Sequence, residues 1–137
     1  MTKRFYKVML GRKSDMAETC RGEGFIGTDF DIKEDLTGQF SEDLLTFNET
    51  WIDKLLPTRK NKISARLAGG ALWTVSKGIR VGDIVLCPTA SSGELQAGDV
   101  VGEYEYVKEG PLPQCRRVHW YPRVVYRDSL SPGGLDR

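Results

Sequence analysis

Hydrophobic periodicity divides the chain into a helical middle and strand-like ends. Residues 4–10 are rich in strand formers and stop at Gly11, which predicts a first strand. An apolar stretch at 24–30 is interrupted by Gly27, and a glycine in a strand marks a bulge or a close approach by another group. From Gly82 onward the apolar positions follow a strand period again, which predicts further strands at 83–87, 95–107, 116–121 and 124–126.

Three helices are predicted between these strands. Ser14 is a candidate N-cap for a short helix that breaks at Gly22. Ser41 precedes two carboxylates and an amphipathic helix that ends before Pro57. The apolar positions of that helix recur at helical spacing: Leu44, Phe47, Trp51 and Leu55.

The third helix is predicted to begin after Asn61 as its cap and to end at Lys77, with Gly78 as the left-handed closing residue. Gly69 and Gly70 inside it weaken the helix or allow close packing against a neighbour. Its apolar positions are Ile63, Leu67, Leu72 and Trp73.

Length and glycine placement set the expected fold. A chain of 137 residues buries enough apolar surface for one core, so a single domain over residues 1–137 is predicted. Gly98 and Gly102 interrupt the long strand at 95–107, which predicts a bent hairpin. Glycine-kinked strands are typical of small closed barrels. The predicted class is α+β, a small β-barrel flanked by about three helices.

Composition bears on the expected location of the protein and on the role of its cysteines. The apolar runs are far shorter than the roughly 20 residues of a membrane helix. The N-terminus has no secretory signal pattern, so a cytoplasmic location is expected. Three cysteines without a CxxC pair argue against a disulfide framework or a zinc site and predict buried small hydrophobes: Cys20, Cys87 and Cys115.

Charge points to local rather than global binding. The net charge of +1 is unlike that of a protein that coats nucleic acid non-specifically. Acidic residues concentrate in residues 29–49, whereas 59–62 and 116–117 are basic, which predicts a polarised surface.

Catalytic motifs are weak. His119 is the single histidine and is predicted to be a half-buried structural residue. Residues 11–14 resemble the end of a phosphate-binding loop, but Tyr6 stands where that motif needs glycine. Arg12 and Lys13 before a helix still suit a backbone phosphate, although a solvated basic turn fits equally well.

Residues 24–30 carry the strongest binding hypothesis. Phe25 and Phe30 flank Thr28 and Asp29, so rings that stack on a base lie beside groups that hydrogen-bond its edge. Core packing is the competing interpretation of the rings. A metal-dependent nuclease that uses Asp29, Asp31 and Lys33 is an alternative of low specificity.

The order of the motifs resembles the N-terminal domain of bacterial Mrr-like restriction proteins. More distantly, it is similar to the EVE and YTH domains of the PUA superfamily, which read modified bases in a pocket on a small barrel. The segments that carry the resemblance cover nearly the whole chain: residues 4–10, 24–30, 71–79, 82–88 and 98–106.

The resemblance implies a PUA-like, EVE/YTH-like barrel that reads a modified base in double-stranded DNA, methylated or hydroxymethylated cytosine or methyladenine, by base flipping. It implies a binding module without enzymatic activity or cofactor, part of a larger restriction protein in phage defence whose nuclease domain lies in the same or a partner chain. An RNA-binding PUA-like module is the alternative.

Thirteen residues are predicted to form the site. The base-binding set combines rings, edge-reading groups and pocket walls: Phe25, Ile26, Thr28, Asp29, Phe30, Trp73 and Tyr104. The DNA-backbone set consists of basic residues and one hydroxyl: Arg12, Lys13, Ser14, Lys77, Arg116 and Arg117.

Overall fold

The computed structural model describes residues 3–30 and 32–126. Six strands form one sheet: β1 (Phe5–Lys7), β2 (Phe25–Thr28), β3 (Ile84–Pro88), β4 (Glu94–Tyr106), β5 (Gln114–Trp120) and β6 (Val125–Tyr126). Three helices accompany them: α1 (Ala17–Glu23), α2 (Leu44–Leu55) and α3 (Lys62–Trp73). Two 3-10 turns, Arg12–Ser14 and Leu56–Thr58, and a π-helical turn, Thr74–Gly78, complete the elements.

The sheet runs in the order β1-β3-β4-β5-β2, and β6 pairs with the start of β4. β1 lies parallel to β3, while the other pairs are antiparallel. The parallel pair requires the long crossover between β1 and β3, and that crossover contains all three helices together with β2.

β4 is the bent strand that joins the two halves of the sheet. It forms the predicted antiparallel hairpin with β3, and its register against β5 shifts between Val100 and Tyr104. A Cβ on Gly98 would lie 2.7 Å from the His119 carbonyl oxygen, so this close strand approach requires glycine. The sheet curls into a half-barrel, and the fold is α+β with three helices.

Local capping rules account for the starts of α2 and α3, whereas the predicted Ser14 cap is wrong, since α1 begins after Met16 without a side-chain cap. α2 begins after Asp43 rather than after Ser41, and the Asp43 carboxylate accepts a hydrogen bond from the Thr46 N–H at 2.9 Å. That bond lowers the pKa of Asp43, together with a side-chain bond from Thr46. The predicted cap of α3 is confirmed, because the Asn61 side chain accepts from the Ser64 N–H at 2.8 Å.

The end of α3 differs from the prediction. Gly78 does not adopt a positive φ, so it is not a left-handed closing residue. The chain instead widens into the π-helical turn and leaves through Ile79 in extended conformation. Gly78 packs against an indole, since a Cβ there would lie 2.9 Å from Trp73 Cζ3. Gly69 allows α2 to approach closely, because its Cβ would overlap the Asn48 side chain, as one of the two interpretations expected.

Two hydrophobic cores result. The sheet core lies between the sheet, α1 and the π-helical turn and includes Val85, Val100 and Val118. The helix core lies between α2, α3 and residues 32–40 and includes Phe47 and Leu72.

Two predictions about single residues can be compared with the structure. The three cysteines are free and buried in the sheet core, as expected. His119 is exposed rather than half-buried, and its ring meets Tyr121 edge to face at 6.5 Å. No helix among the described residues is long and apolar enough to cross a membrane.

Candidate functional site

A cleft of about 1090 Å³ lies beside α3 and is lined by both edge strands of the sheet, β1 and β2. β1 and the turn that follows it form one side, and the C-terminal end of β2 forms another. The second half of α3 and the loop that precedes α3 face them. β1 and β2 are the two edge strands of the curled sheet, and both line the cleft beside α3, so the cleft joins segments that are far apart in sequence.

The inner wall of the cleft is apolar. Val8, Val75 and Leu112 line it, and each is buried. Met16 adds a half-buried thioether, which adapts its shape to whatever it contacts. Small residues of α3, Gly70 and Ala71, leave room on the opposite side. This lining suits a flat, largely apolar group such as a base or another planar ring.

Thr28 places an unpartnered hydroxyl in this wall. The residue ends β2, is only 6% exposed, and lines the cleft. Its Oγ1 has no hydrogen-bond partner among the residues that the structure describes. A buried hydroxyl without a partner costs about 1–3 kcal/mol, and a ligand that hydrogen-bonds to it recovers that cost.

Phe30 supplies the one aromatic ring among the described residues that line the cleft. The guanidinium carbon of Arg59 lies 5.3 Å from the centre of this ring. Arg59 itself lines the cleft, and its buried Nε has no hydrogen-bond partner within residues 3–30 and 32–126. The Phe30 ring therefore contacts a cation on one side and packs against the helix core.

Backbone strain concentrates at the cleft. Among the described residues, four that are not glycine have positive φ, and Phe30 is one of them at 46°. Lys13 and Ser14, at 54° and 63°, belong to the turn at residues 11–15 that forms part of the cleft. Such conformations cost of order 1–3 kcal/mol each and cluster at functional sites.

The rim of the cleft is positively charged. Its cations are Lys7, Arg12, Arg59 and Lys60, and none of them forms an ion pair with a carboxylate among the residues that the structure describes. Its carboxylates are Asp15 and Asp29, and the Asp29 oxygen lies 2.7 Å from Lys33 Nζ. The excess of cations suits an anionic ligand such as a phosphate.

The cleft brings together part of the predicted base-binding set. Thr28, Asp29 and Phe30 line it, and Arg12 of the predicted backbone-binding set lies on its rim. Lys13 is exposed in the same turn as Arg12. Base binding by Thr28, Asp29 and Phe30 and phosphate binding by Arg12 and Lys13 stay predictions.

Other predicted base contacts lie elsewhere. Phe25 and Ile26 are buried in the sheet core at 8% and 0% exposure. The Trp73 indole packs against the helix core and donates to the Ser41 carbonyl oxygen at 2.8 Å. The Tyr104 hydroxyl accepts from the Leu36 N–H at 3.0 Å. None of the four is among the described residues of the cleft wall, because Phe25 and Ile26 pack in the sheet core and Trp73 and Tyr104 pack against the helix core.

The predicted phosphate contacts of Arg116 and Ser14 are wrong, because both side chains are buried. Arg116 is 1% exposed, and Ser14 is 5% exposed with its hydroxyl 3.0 Å from Met9 Sδ. Neither side chain is exposed enough to contact a phosphate at the surface. Lys77 and Arg117 are exposed but pair with Glu42 and Glu105, each at 3.2 Å, away from the described cleft lining.

Arg116 serves the interior instead. Its Nε donates to the Gly102 carbonyl oxygen at 2.7 Å, at the bend of β4. Its Nη1 donates to the carbonyl oxygens of Val75 and Ile79 at 3.1 and 2.6 Å, in and after the π-helical turn. Burial lowers the pKa of this guanidinium. Arg116 therefore ties the bend of the sheet to the turn that carries the cleft residue Val75.

The residues of the nuclease alternative are only partly described. Asp29 and Lys33 form the ion pair given above, and Asp31 lies outside the described residues. No group of three or more histidine, cysteine, aspartate or glutamate side chains with metal-binding geometry occurs within residues 3–30 and 32–126.

Sequence reasoning missed several cleft residues. Lys7 was counted only as part of a strand, and Ser64, Gly70 and Thr74 only as parts of a helix. Arg59 and Lys60 were noticed as a basic patch, and that patch directly before a helix cap was the available signal.

A family model described as "Domain of unknown function (DUF8426)" matches residues 6–130. The chain belongs to this family. The match spans both cores and every element that lines the cleft, so the cleft is part of the family's domain. Comparison with curated proteins and with solved structures found no match.

Proposed function

We propose that this domain is a DNA-binding specificity module that takes a modified base into the cleft. The observation that carries the proposal is the Thr28 hydroxyl, which is buried in the cleft wall and has no partner among the described residues. The rim of this cleft bears cations that form no ion pair within that part of the chain. In this proposal the curled half-sheet is a PUA-like barrel of the EVE/YTH type, as the resemblance implies.

The cleft offers a distinct contact for each part of a nucleotide. The Phe30 ring presents a face on which a base stacks, and such stacking contributes about 1–3 kcal/mol. Thr28 hydrogen-bonds the base edge. Asp29, which Lys33 already engages, accepts from an exocyclic amine and so favours cytosine or adenine.

A modifying group has its own surface in the cleft. A methyl or hydroxymethyl group on the base would contact the apolar wall of Val8, Val75 and Leu112. Each buried methylene-sized group contributes about 0.8 kcal/mol, so one methyl gives a several-fold preference. Lys7, Arg12 and Lys60 would hold the phosphates that flank the flipped nucleotide.

The module is proposed to act without chemistry of its own. As the resemblance implies, it would direct a restriction nuclease in the same or a partner chain to modified DNA. A base leaves the duplex at a cost of a few kcal/mol, and the cleft contacts must offset that cost.

Binding of fluorescent oligonucleotides tests the proposal. Anisotropy titrations would compare duplexes that carry one 5-methylcytosine, 5-hydroxymethylcytosine or N6-methyladenine with the unmodified duplex and with RNA, all at one salt concentration. We expect tighter binding of one modified duplex. Equal affinity for all of them contradicts the proposal, and preference for RNA favours the RNA-binding alternative. Cleavage by the isolated chain with magnesium favours the nuclease alternative.

Variants at Thr28 locate the interaction. Thr28→Val keeps the shape of the side chain but removes its hydroxyl, and we expect it to abolish the preference for the modified duplex. Thr28→Ser keeps the hydroxyl and should retain most of the preference. If both variants bind as the unaltered protein does, the base does not enter this cleft.

A further inference from the structure

Arg59 is a cleft residue whose guanidinium does not use all of its hydrogen-bond donors within the described residues. It follows the turn Leu56–Thr58, and its backbone N–H donates to the Leu56 carbonyl oxygen at 3.1 Å, which fixes the start of the side chain. The buried Nε at the other end has no partner in the part of the chain that the structure describes. The guanidinium instead lies over the Phe30 ring, 5.3 Å from its centre.

This contact occupies the ring face that a planar ligand needs. A cation over an aromatic ring near the surface gains about 0.5–1 kcal/mol. A base stacked on the same ring gains about 1–3 kcal/mol. A base therefore displaces the guanidinium from Phe30 with a net gain.

The displaced guanidinium has a natural new partner. Arg59 has no carboxylate partner among the described residues, and its neighbours on the rim, Lys60 and Arg12, are also cations. The flat fork of N–H donors on arginine matches the oxygens of a phosphate, and lysine lacks this geometry.

We propose that Arg59 covers Phe30 while the cleft is empty and moves to a ligand phosphate when a base takes its place, which makes the cleft selective for nucleotides over nucleosides. This inference rests on the proposed function, since it assumes that the ligand of the cleft carries a base. It assigns to Arg59 a role in specificity that the basic patch alone did not indicate.

Small ligands that each lack one part of a nucleotide test the inference on the full chain. Amide chemical-shift titrations would give affinities for dCMP and dAMP, for the corresponding deoxynucleosides, and for deoxyribose 5-phosphate. We expect each nucleotide to bind roughly tenfold more tightly than its nucleoside, since a charged hydrogen bond has a strength of this order. Deoxyribose 5-phosphate should bind most weakly because it cannot stack on Phe30.

Three variants separate the two contacts. Arg59→Ala should remove most of the tenfold nucleotide preference, and Arg59→Lys should restore only part of it. Phe30→Leu should weaken nucleotide and nucleoside alike, by roughly fivefold, and leave their ratio unchanged. Arg66→Ala is the control, because Arg66 is an exposed arginine of α3 outside the described cleft lining.

The outcomes separate this inference from the proposed function. An unchanged nucleotide preference in Arg59→Ala overturns the inference, even where Thr28→Val still abolishes recognition of modified DNA. Arg59-dependent nucleotide binding without any preference among oligonucleotides supports the inference and contradicts the reader function. If no nucleotide shifts the amide resonances of Thr28 and Phe30, the inference is wrong.

Discussion

Arg116 and Arg59 differ in what their guanidinium groups contact. Arg116 is 1% exposed, and its Nε and Nη1 donate to the carbonyl oxygens of Gly102, Val75 and Ile79, although its buried Nη2 has no partner among the described residues. Arg59, at the cleft, holds a buried Nε without a partner and rests on the ring of Phe30. Arg116 therefore stabilises the fold, whereas Arg59 is positioned to bind a ligand.

The difference shows how burial separates structural from binding residues. A buried charge persists in an interior only when hydrogen bonds offset its desolvation, which is what the carbonyl oxygens around Arg116 provide. The cleft instead contains an unpartnered Thr28 hydroxyl, left-handed backbone at Phe30 and cations without carboxylate partners. Such a surface is less stable than it could be, and this is the common cost of a binding site.

The largest expected effect is at Arg116. Arg116→Met fills a similar volume but leaves the carbonyl oxygens of Gly102 and Ile79 without their donors, so we expect the free energy of unfolding to fall by about 3 kcal/mol. Arg59→Ala should lower it by less than about 1 kcal/mol, since it loses only the contact with Phe30. Urea unfolding followed by circular dichroism gives both values.

Arg116→Lys is the intermediate control for that comparison. It keeps the charge but reaches fewer carbonyl oxygens, so its stability should lie between those of the unaltered protein and Arg116→Met. Equal losses at Arg116 and Arg59 would contradict the division into a structural and a binding arginine.

Thr28→Val should change stability and binding in opposite directions. Removing a buried hydroxyl that has no partner raises the free energy of unfolding by about 1 kcal/mol, while the preference for modified DNA is lost. Thermal unfolding and anisotropy on the same preparation measure the two effects. A destabilised Thr28→Val would mean that the hydroxyl is already satisfied within the folded protein.

Gly70 and Gly22 allow a helical glycine inside the cleft to be compared with one outside its described lining. A Cβ on Gly70 or on Gly22 meets no atom within 4 Å, and both residues are helical. Substitution by alanine should therefore stabilise each helix by about 0.5–1 kcal/mol. Gly70 lines the cleft, so only Gly70→Ala should also weaken ligand binding. Equal affinity of the Gly70→Ala and Gly22→Ala proteins for the modified duplex would show that the ligand does not reach this part of α3.

At neutral pH the smallest expected effect is that of thiol ionisation in the sheet core, which changes stability only at higher pH. Burial raises the pKa of Cys20 to about 12 and of Cys115 to about 11, from an ordinary value of 9.0. Because the folded protein keeps these thiols protonated, their contribution to stability is complete below pH 9.0 and declines as the pH rises toward 11 and above.

Urea midpoints at neutral pH and at pH values above 9.0 test this dependence. In Cys115→Ala the decline should be shallower than in the unaltered protein, whereas Arg59→Ala should leave it unchanged. Identical slopes in Cys115→Ala and the unaltered protein would contradict the assignment to the thiol.

Much of the architecture follows from local sequence. The periodicity predicted the three helices, Asn61 as the cap of α3, and the bend of β4 at its glycines. These features depend on neighbours within a few residues, so the sequence determines them directly. The cap of α2 shifted from Ser41 to Asp43 because either residue type satisfies the first N–H groups of a helix.

The site depended on contacts between distant parts of the chain. The sequence by itself determined that Thr28, Asp29 and Phe30 lie together and that residues 59–62 are basic. Only the tertiary structure decided that these two segments meet in one cleft, that Arg116 is buried, and that Trp73 and Tyr104 face the helix core. The physical reason is that the burial of a side chain depends on which elements pack together. The crossover from β1 to β3 sets this packing between residues far apart in the sequence, and a pattern of neighbouring residues does not contain that information.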